Sequence, residues 1–258
     1  MNEAFERFNQ ILDRLRRECP WDRKQTWESL RTMTIEEVYE LADALARNSA
    51  DDVRKELGDV FLHVAFYAKI AQENSLFDFS DVINSLCDKL IYRHPHIFGN
   101  VSADDAETVT RNWEALKLKE KGGNRTVLGG VPATLPALVK AGRIQDKARG
   151  VGFDWDNAAQ VWDKVAEEMA EFRAEVEAGN ADGMEDEFGD LLFSLINVAR
   201  HLNINPENAL ERTNRKFIER FNYLESKTIT QGRSLKDMTL AQMDEIWDEA
   251  KRIERDRR

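Results

Sequence analysis

Two sets of carboxylates in this chain have the spacing needed to hold a divalent cation. Glu168 and Glu171 stand three apart, as do Glu187 and Asp190, and residues three apart share a helix face. The first half repeats the set as Glu37, Glu40, Glu56 and Asp59, each offset by 131 positions. The turn expected near Gly179 lies about eight residues from both Glu171 and Glu187. At about 1.5 Å per residue, each stands roughly 12 Å from that turn, at similar height on facing helices. Four carboxylates converging in this way repel one another unless a cation joins them. Hard oxygen donors of this kind suit Mg²⁺, with Mn²⁺ as a substitute.

The commoner origin of a Glu-rich stretch is a solvated helix face, and Glu37 could close a capping box with Thr34. Three features favour the metal. Asp59 and Asp190 open the apolar runs Val60-Phe61-Leu62 and Leu191-Leu192-Phe193, where a carboxylate needs a partner or a metal. Gly58 and Gly189 fall inside helices, where glycine costs about 1 kcal/mol relative to alanine, and this predicts close helix approach at both. Glu168 lies too deep in its helix to cap it. A di-iron bundle would use Glu-x-x-His ligands. Here the partner positions are Glu171 and Asp190, and His63, four past Asp59, is matched by Ser194. Hydrolytic chemistry on a hard cation is favoured over redox iron.

The elements that must position these acids are helices. Glycine and proline number 18 of 258 residues, about 7% against roughly 12% in average usage, while charged residues are enriched. That composition excludes a turn-rich β-sandwich or barrel and points to an all-α chain. Segments near 51–73 and 182–201 carry continuous apolar runs and are expected to be buried on most sides. Turns near 46–49 and 178–180 join antiparallel neighbours. Asp156 or Asn157 is the expected N-cap of the helix bearing Glu168. Asn205-Pro206 opens the next-to-last helix, and Thr239 with Gln242 forms a capping box before the last.

The repeat extends beyond the acids. Lys89 and Arg93 match Lys216 and Arg220 at an offset of 127, and Trp113 and Lys117 match Trp247 and Lys251 at 134. Trp21-Asp22 has a looser counterpart in Phe153-Asp154-Trp155. Blocks kept in order at nearly constant offset mark a tandem duplication, expected as helical domains over 1–121 and 137–258 with a Gly/Pro-rich linker at 122–136. The net charge of −11 argues against a nucleic-acid polymer as partner, because that affinity comes largely from Lys and Arg. Two cysteines cannot form a disulfide framework, no apolar run is long enough for a membrane span, and the N-terminus lacks a signal-peptide core. A soluble, cytoplasmic protein is expected.

The pattern E-E-x-x-E, a 15-residue gap, then E-x-x-D resembles the all-α nucleoside triphosphate pyrophosphohydrolases. The tandem arrangement, with Cys19-Pro20-Trp21-Asp22, Arg93-His94-Pro95-His96-Ile97-Phe98, Val151-Gly152-Phe153-Asp154-Trp155 and the late Trp247, is similar to the MazG branch across essentially the whole chain. The resemblance implies Mg²⁺-dependent hydrolysis of nucleoside triphosphates to monophosphate and pyrophosphate, with broad base tolerance. It also implies a homodimer in which four-helix-bundle cores are completed by dimerisation. By the same resemblance Glu168, Glu171, Glu187 and Asp190 hold Mg²⁺, with Glu37, Glu40, Glu56 and Asp59 as their first-half equivalents.

The residues fit that chemistry independently. Attack of water at phosphorus is catalysed mostly by positioning and charge neutralisation. Glu167, next to Glu168, is a candidate to orient or deprotonate the water. Lys216 and Arg220 lie four apart on one helix face and suit a triphosphate, with Lys89 and Arg93 as counterparts. Trp247 and Lys251, like Trp113 and Lys117, pair an aromatic for unspecific base stacking with a cation for phosphate. Lys164 precedes Glu168 by four residues and could reach phosphate, whereas its counterpart is Met33, so the second half is expected to carry most of the activity. Two other functions compete: a nucleotide-responsive binding or scaffold protein, and a narrow dUTP, dCTP or modified-nucleotide pyrophosphatase.

Overall fold

The computed structural model of the chain describes residues 2–102, 126–155, 157–230 and 232–256, with 105, 108, 109, 112, 113, 116 and 117. Among the described residues there is no strand, and no helix is long and apolar enough to cross a membrane. The chain divides into two compact units, 1–104 and 105–258. The Gly122-Gly123-Asn124 part of the expected linker lies outside the described residues. From 126 onward the segment is laid along the helix that follows it: Lys147, almost fully buried, donates to the Val127 carbonyl at 3.1 Å, and Lys140 donates to that of Ala133 at 2.6 Å.

The first unit contains α1 (Asn2–Glu18), α2 (Trp27–Arg47), α3 (Ala50–Glu73), α4 (Phe79–Arg93) and the single turn α5 (Pro95–Phe98). Helices α2 and α3 form an antiparallel hairpin. Asn48, in the left-handed region at φ 54°, ends α2, and the Ser49 side chain caps α3 by accepting from the Asp52 N–H. The core lies beyond the acidic residues, away from that turn. There Leu12 of α1 and Leu30 of α2 meet Ala65, Phe66 and Ile70 of α3, with Phe79 of α4 packed against them. Arg16 ties α1 to this hairpin: its Nε donates to Glu73 at 2.9 Å, its Nη1 to the Asp22 carbonyl, and its guanidinium lies over Phe66.

The second unit contains α6 (Ala137–Arg149), α7 (Ala158–Ala178), α8 (Ala181–His201), α9 (Pro206–Thr230) and α10 (Leu240–Asp256). The α7/α8 hairpin repeats α2/α3. Gly179, at φ 69°, ends α7 without the Cβ penalty of the left-handed region, and Asn180 caps α8. The expected caps form. Asn157 accepts from the N–H groups of Ala159 and Gln160, Asn205 from Asn208, and Thr239 with Gln242 makes a reciprocal box. Asp156 lies outside the described residues.

Two expectations need correction, and one alternative reading falls away. Helices α3 and α8 are not buried on most sides of the isolated chain: Phe61 and Val64, like Phe188 and Leu192, are about two-fifths to one-half exposed. Their apolar runs are wider than one neighbouring helix can cover. A Cβ added at Gly58 or Gly189 would meet nothing within 4 Å, so among the described residues no helix approaches closely there. Thr34 is not a cap either. Helix α2 starts eight residues earlier, at Thr26, which forms a capping box with Ser29.

The loop before α7 is pinned by a part-buried ion pair. Asp154 accepts from both terminal nitrogens of Arg200, at 2.9 Å from Nη1, and lies 3.2 Å from His201 Nε2. Burial pushes the Asp154 carboxyl up, but the Arg200 hydrogen bonds and charge, the Trp155 N–H and His201 outweigh it and hold it below the usual carboxylate range. A carboxyl depressed by folding stabilises the fold above its unfolded value of about 3.9, and that contribution is lost as pH falls through the lower folded value. Asp154→Asn should therefore lower the unfolding free energy at pH 7 by about 2 kcal/mol. In urea titrations its deficit against the parent should narrow once pH drops below about 4.

Candidate metal centre

Each hairpin brings its acids together at mid-height. Carboxylate oxygens of Glu37, Glu56 and Asp59 lie within 4.8 Å of one another in the first unit, and those of Glu168, Glu171 and Glu187 do so in the second. Spacing three on one arm and a shared distance from the turn produce this, as expected from the sequence. Glu40 and Asp190, the fourth acids, fall outside the tight groups, yet both are near enough to raise a neighbour's pKa. Burial pushes the Glu37 carboxyl up, and Asp59, Glu40 and Glu56 add to it, with His63 opposing. Burial likewise raises Glu187, reinforced by Glu171, Glu168, Asp190 and Glu175.

The donor set fits a hard cation. Glu56 and Glu168 are each only 6% exposed, far inside the range where an ionised glutamate needs compensation. One oxygen of Glu56 and one of Glu187, equivalent residues of the two halves, are buried without any hydrogen-bond partner. An all-carboxylate cluster with an unsatisfied buried oxygen in each copy matches what Mg²⁺ or Mn²⁺ takes.

Each cluster also holds an internal lysine, but on different arms. Lys164 of α7 lies 2.6 Å from Glu168 and 2.8 Å from Glu167. Both carboxylates hold its proton, so its pKa is raised. In the first unit Lys55 of α3 lies 2.8 Å from Glu56 and 4.0 Å from Asp59, and its pKa is raised in the same way. Met33 is therefore not a missing cation. The charge has moved from the α2 arm to the α3 arm, and the asymmetry expected from Lys164 alone is smaller than the sequence implies.

A polar network beside the first cluster has no counterpart in the second. Thr34 Oγ1 lies 3.0 Å from the Leu30 carbonyl, 2.8 Å from His63 Nδ1 and 2.5 Å from the Tyr67 hydroxyl. The Leu30 carbonyl can only accept, whereas the Tyr67 hydroxyl and the His63 ring nitrogen can each donate or accept. The corresponding residues of the second half are Val165, Ser194 and Val198. Nothing in the helical spacing distinguishes this network from ordinary core, and sequence reading passed over it, as it did over Lys55.

The cation–aromatic residues form a separate cluster on α9 and α10. Trp247 packs on Phe217 with ring centroids 5.0 Å apart, and the Arg220 guanidinium lies 5.9 Å from the Trp247 ring. Arg220 is not free: Nε and Nη2 both donate to Glu254 Oε2, at 3.0 and 2.7 Å. Lys216, half-buried in the same groove, has no ion pair among the described residues. Lys251 pairs with Asp248 at 2.9 Å. Of the first-half counterparts, Lys89 is exposed on α4 and Arg93 ends that helix. Lys117 lies 4.7 Å from the ring of Trp113, and both fall within the span of the second unit.

The MazG nucleotide pyrophosphohydrolase domain model matches residues 25–98 and again 158–224. Each match holds one acidic hairpin and helix chain beyond it. The chain is 43% identical over 257 residues to the Thermotoga maritima nucleoside triphosphate pyrophosphohydrolase/pyrophosphatase MazG, covering 97% of this chain and 98% of that protein. It is 41% identical over 263 residues to the Escherichia coli K12 nucleoside triphosphate pyrophosphohydrolase, covering 99% and 100%. It is also 46% identical over 255 residues to the uncharacterized Bacillus subtilis protein YabN, covering 97% of this chain and 52% of that protein. With two copies of the domain, each carrying its own carboxylate cluster, the chain belongs to the MazG nucleotide pyrophosphohydrolase family.

Proposed function

We propose that the chain hydrolyses nucleoside triphosphates to the monophosphate and pyrophosphate, with Mg²⁺, in a reaction carried mainly by the second half. The observation that carries this reading is the convergence of Glu168, Glu171 and Glu187 around a buried, unpartnered Glu187 oxygen. The names of the Thermotoga and Escherichia coli relatives supply the reaction class. Glu168, Glu171, Glu187 and Asp190 would hold the cation. Bound Mg²⁺ supplies charge neutralisation for the phosphate oxygens and lowers the pKa of the attacking water.

The chain's own groups do the positioning. Lys164 adds a fixed positive charge against the carboxylates, and Glu167, exposed and held by Lys164, orients the water. Lys216 and Arg220 take the polyphosphate, with Lys251 as an outer cation. Trp247 stacks a base without reading its edge, which favours broad tolerance of ribo- and deoxynucleotides. The second half is favoured because acids, Lys164 and the α9/α10 set belong to one unit. A homodimer is supported by the apolar faces left open at Phe61, Val64, Phe188 and Leu192 and by the free space at Gly58 and Gly189. The free cysteines Cys19 and Cys87 suit a reducing cytoplasm.

Pyrophosphate release from ATP should require Mg²⁺, stop with EDTA and return when the metal is restored. Glu171→Ala should abolish turnover while Glu40→Ala leaves much of it; the opposite result would reverse the assignment of the halves. Glu187→Gln removes one of several crowded like charges, so the metal-free variant should melt about 2 °C above the parent. Added Mg²⁺ should then raise the melting temperature of the parent but not of the variant. Across the eight common nucleotides kcat/KM should vary by no more than about tenfold, given stacking without edge readout.

A further inference from the structure

We infer that Glu254 is a positioning residue for the triphosphate, acting through Arg220; the inference rests on the reading of Arg220 as a phosphate contact. The two side chains close one side of a groove of about 370 Å³ between α9 and α10 that Lys216 and Tyr223 also line. Glu254 takes the Nε and Nη2 hydrogens of Arg220 on a single oxygen. A guanidinium has five N–H donors, so three remain for phosphate oxygens. The Trp247 ring beneath the guanidinium fixes it from a second side. A long arginine side chain loses much rotamer freedom when ordered. Ordering it before the ligand arrives removes that loss from the binding step.

The pair is not needed to hold α10 in place. Glu249, further toward the start of α10, accepts from Tyr223 at 2.6 Å and from Lys227 at 2.9 Å. Beneath these contacts Leu224, Thr228, Met238 and Ala250 are buried. Glu254 lies at the far end of α10, beyond those contacts, where it takes two hydrogens of Arg220. The opposite role, in which Glu254 competes with phosphate for the guanidinium, predicts the opposite sign and is an outcome of the same experiment.

The test is steady-state ATP hydrolysis by the full chain as Glu254→Ala, Glu254→Gln, Arg220→Ala and the Ala/Ala double variant, with thermal melts as a folding check. Glu254→Ala should raise KM about tenfold and leave kcat within about twofold, the pattern of lost orientation in binding. Glu254→Gln keeps an acceptor oxygen at the same reach and should recover part of that loss. The double variant should be no worse than Arg220→Ala alone, because Glu254 acts only through it. An unchanged or lowered KM in both Glu254 variants overturns the inference, as does a loss fully additive with Arg220→Ala. If Arg220→Ala leaves KM unchanged, the phosphate reading of Arg220 falls and takes the inference with it; a raised KM for Arg220→Ala with no effect at Glu254 overturns the inference alone.

Discussion

Like-charge crowding between the arms of a helical hairpin is the constraint that organises both halves of this protein. Two unit charges 4 Å apart repel by about 4 kcal/mol at a near-surface effective dielectric of 20, and each cluster holds three carboxylates whose oxygens approach within 4.8 Å. Something else must hold the arms together. In the first unit it is the apolar contact of Leu12 and Leu30 with Phe66 and Ile70. At the other end it is a short turn with a left-handed residue, Asn48 or Gly179. The acids sit between turn and core, where arms closed at both ends cannot separate to relieve the repulsion.

Much of this arrangement is legible in the amino-acid sequence because it rests on spacing. Acids three apart, two arms of equal reach and a turn residue between them determine that Glu168, Glu171 and Glu187 meet, and the 131-residue repeat of the pattern gives the first half its copy. The caps at Asn157, Asn205 and Thr239 are equally local and were equally readable. Properties set by a third body were not. The glycines Gly58 and Gly189 have the sequence signature of close packing, but the space beside them is open among the described residues, so spacing alone could not tell whether a neighbour fills it. Lys55 and Lys164 hold equivalent clusters from non-equivalent positions, so alignment of the halves finds a lysine facing a methionine and misses that the charge is retained. Arg220 looks like a free phosphate-binding cation until Glu254, 34 residues away, is placed against it.

The duplication has kept the hairpin and changed what surrounds it. Asp154 and Arg200 pin the segment entering the second hairpin, whereas Arg16 pins the corresponding segment of the first through main-chain carbonyls and Glu73. The segments that resemble each other in sequence, Trp21-Asp22 and Phe153-Asp154, are thus held by different chemistry just before α2 and α7. The aspartate of the second motif is a strut, held by Arg200 and His201.

The placement of the two lysines has a mechanical meaning. Lys55 bonds to carboxylates of its own helix α3, and Lys164 to carboxylates of its own helix α7; neither reaches across to the opposite arm. In the first half the arms are nonetheless riveted one turn away by Thr34, His63 and Tyr67. Valine, serine and valine stand in those places in the second half, so the same three-residue brace cannot form between its arms at that depth. The first hairpin is a frame that carries its own rivet, and the second is a frame without one.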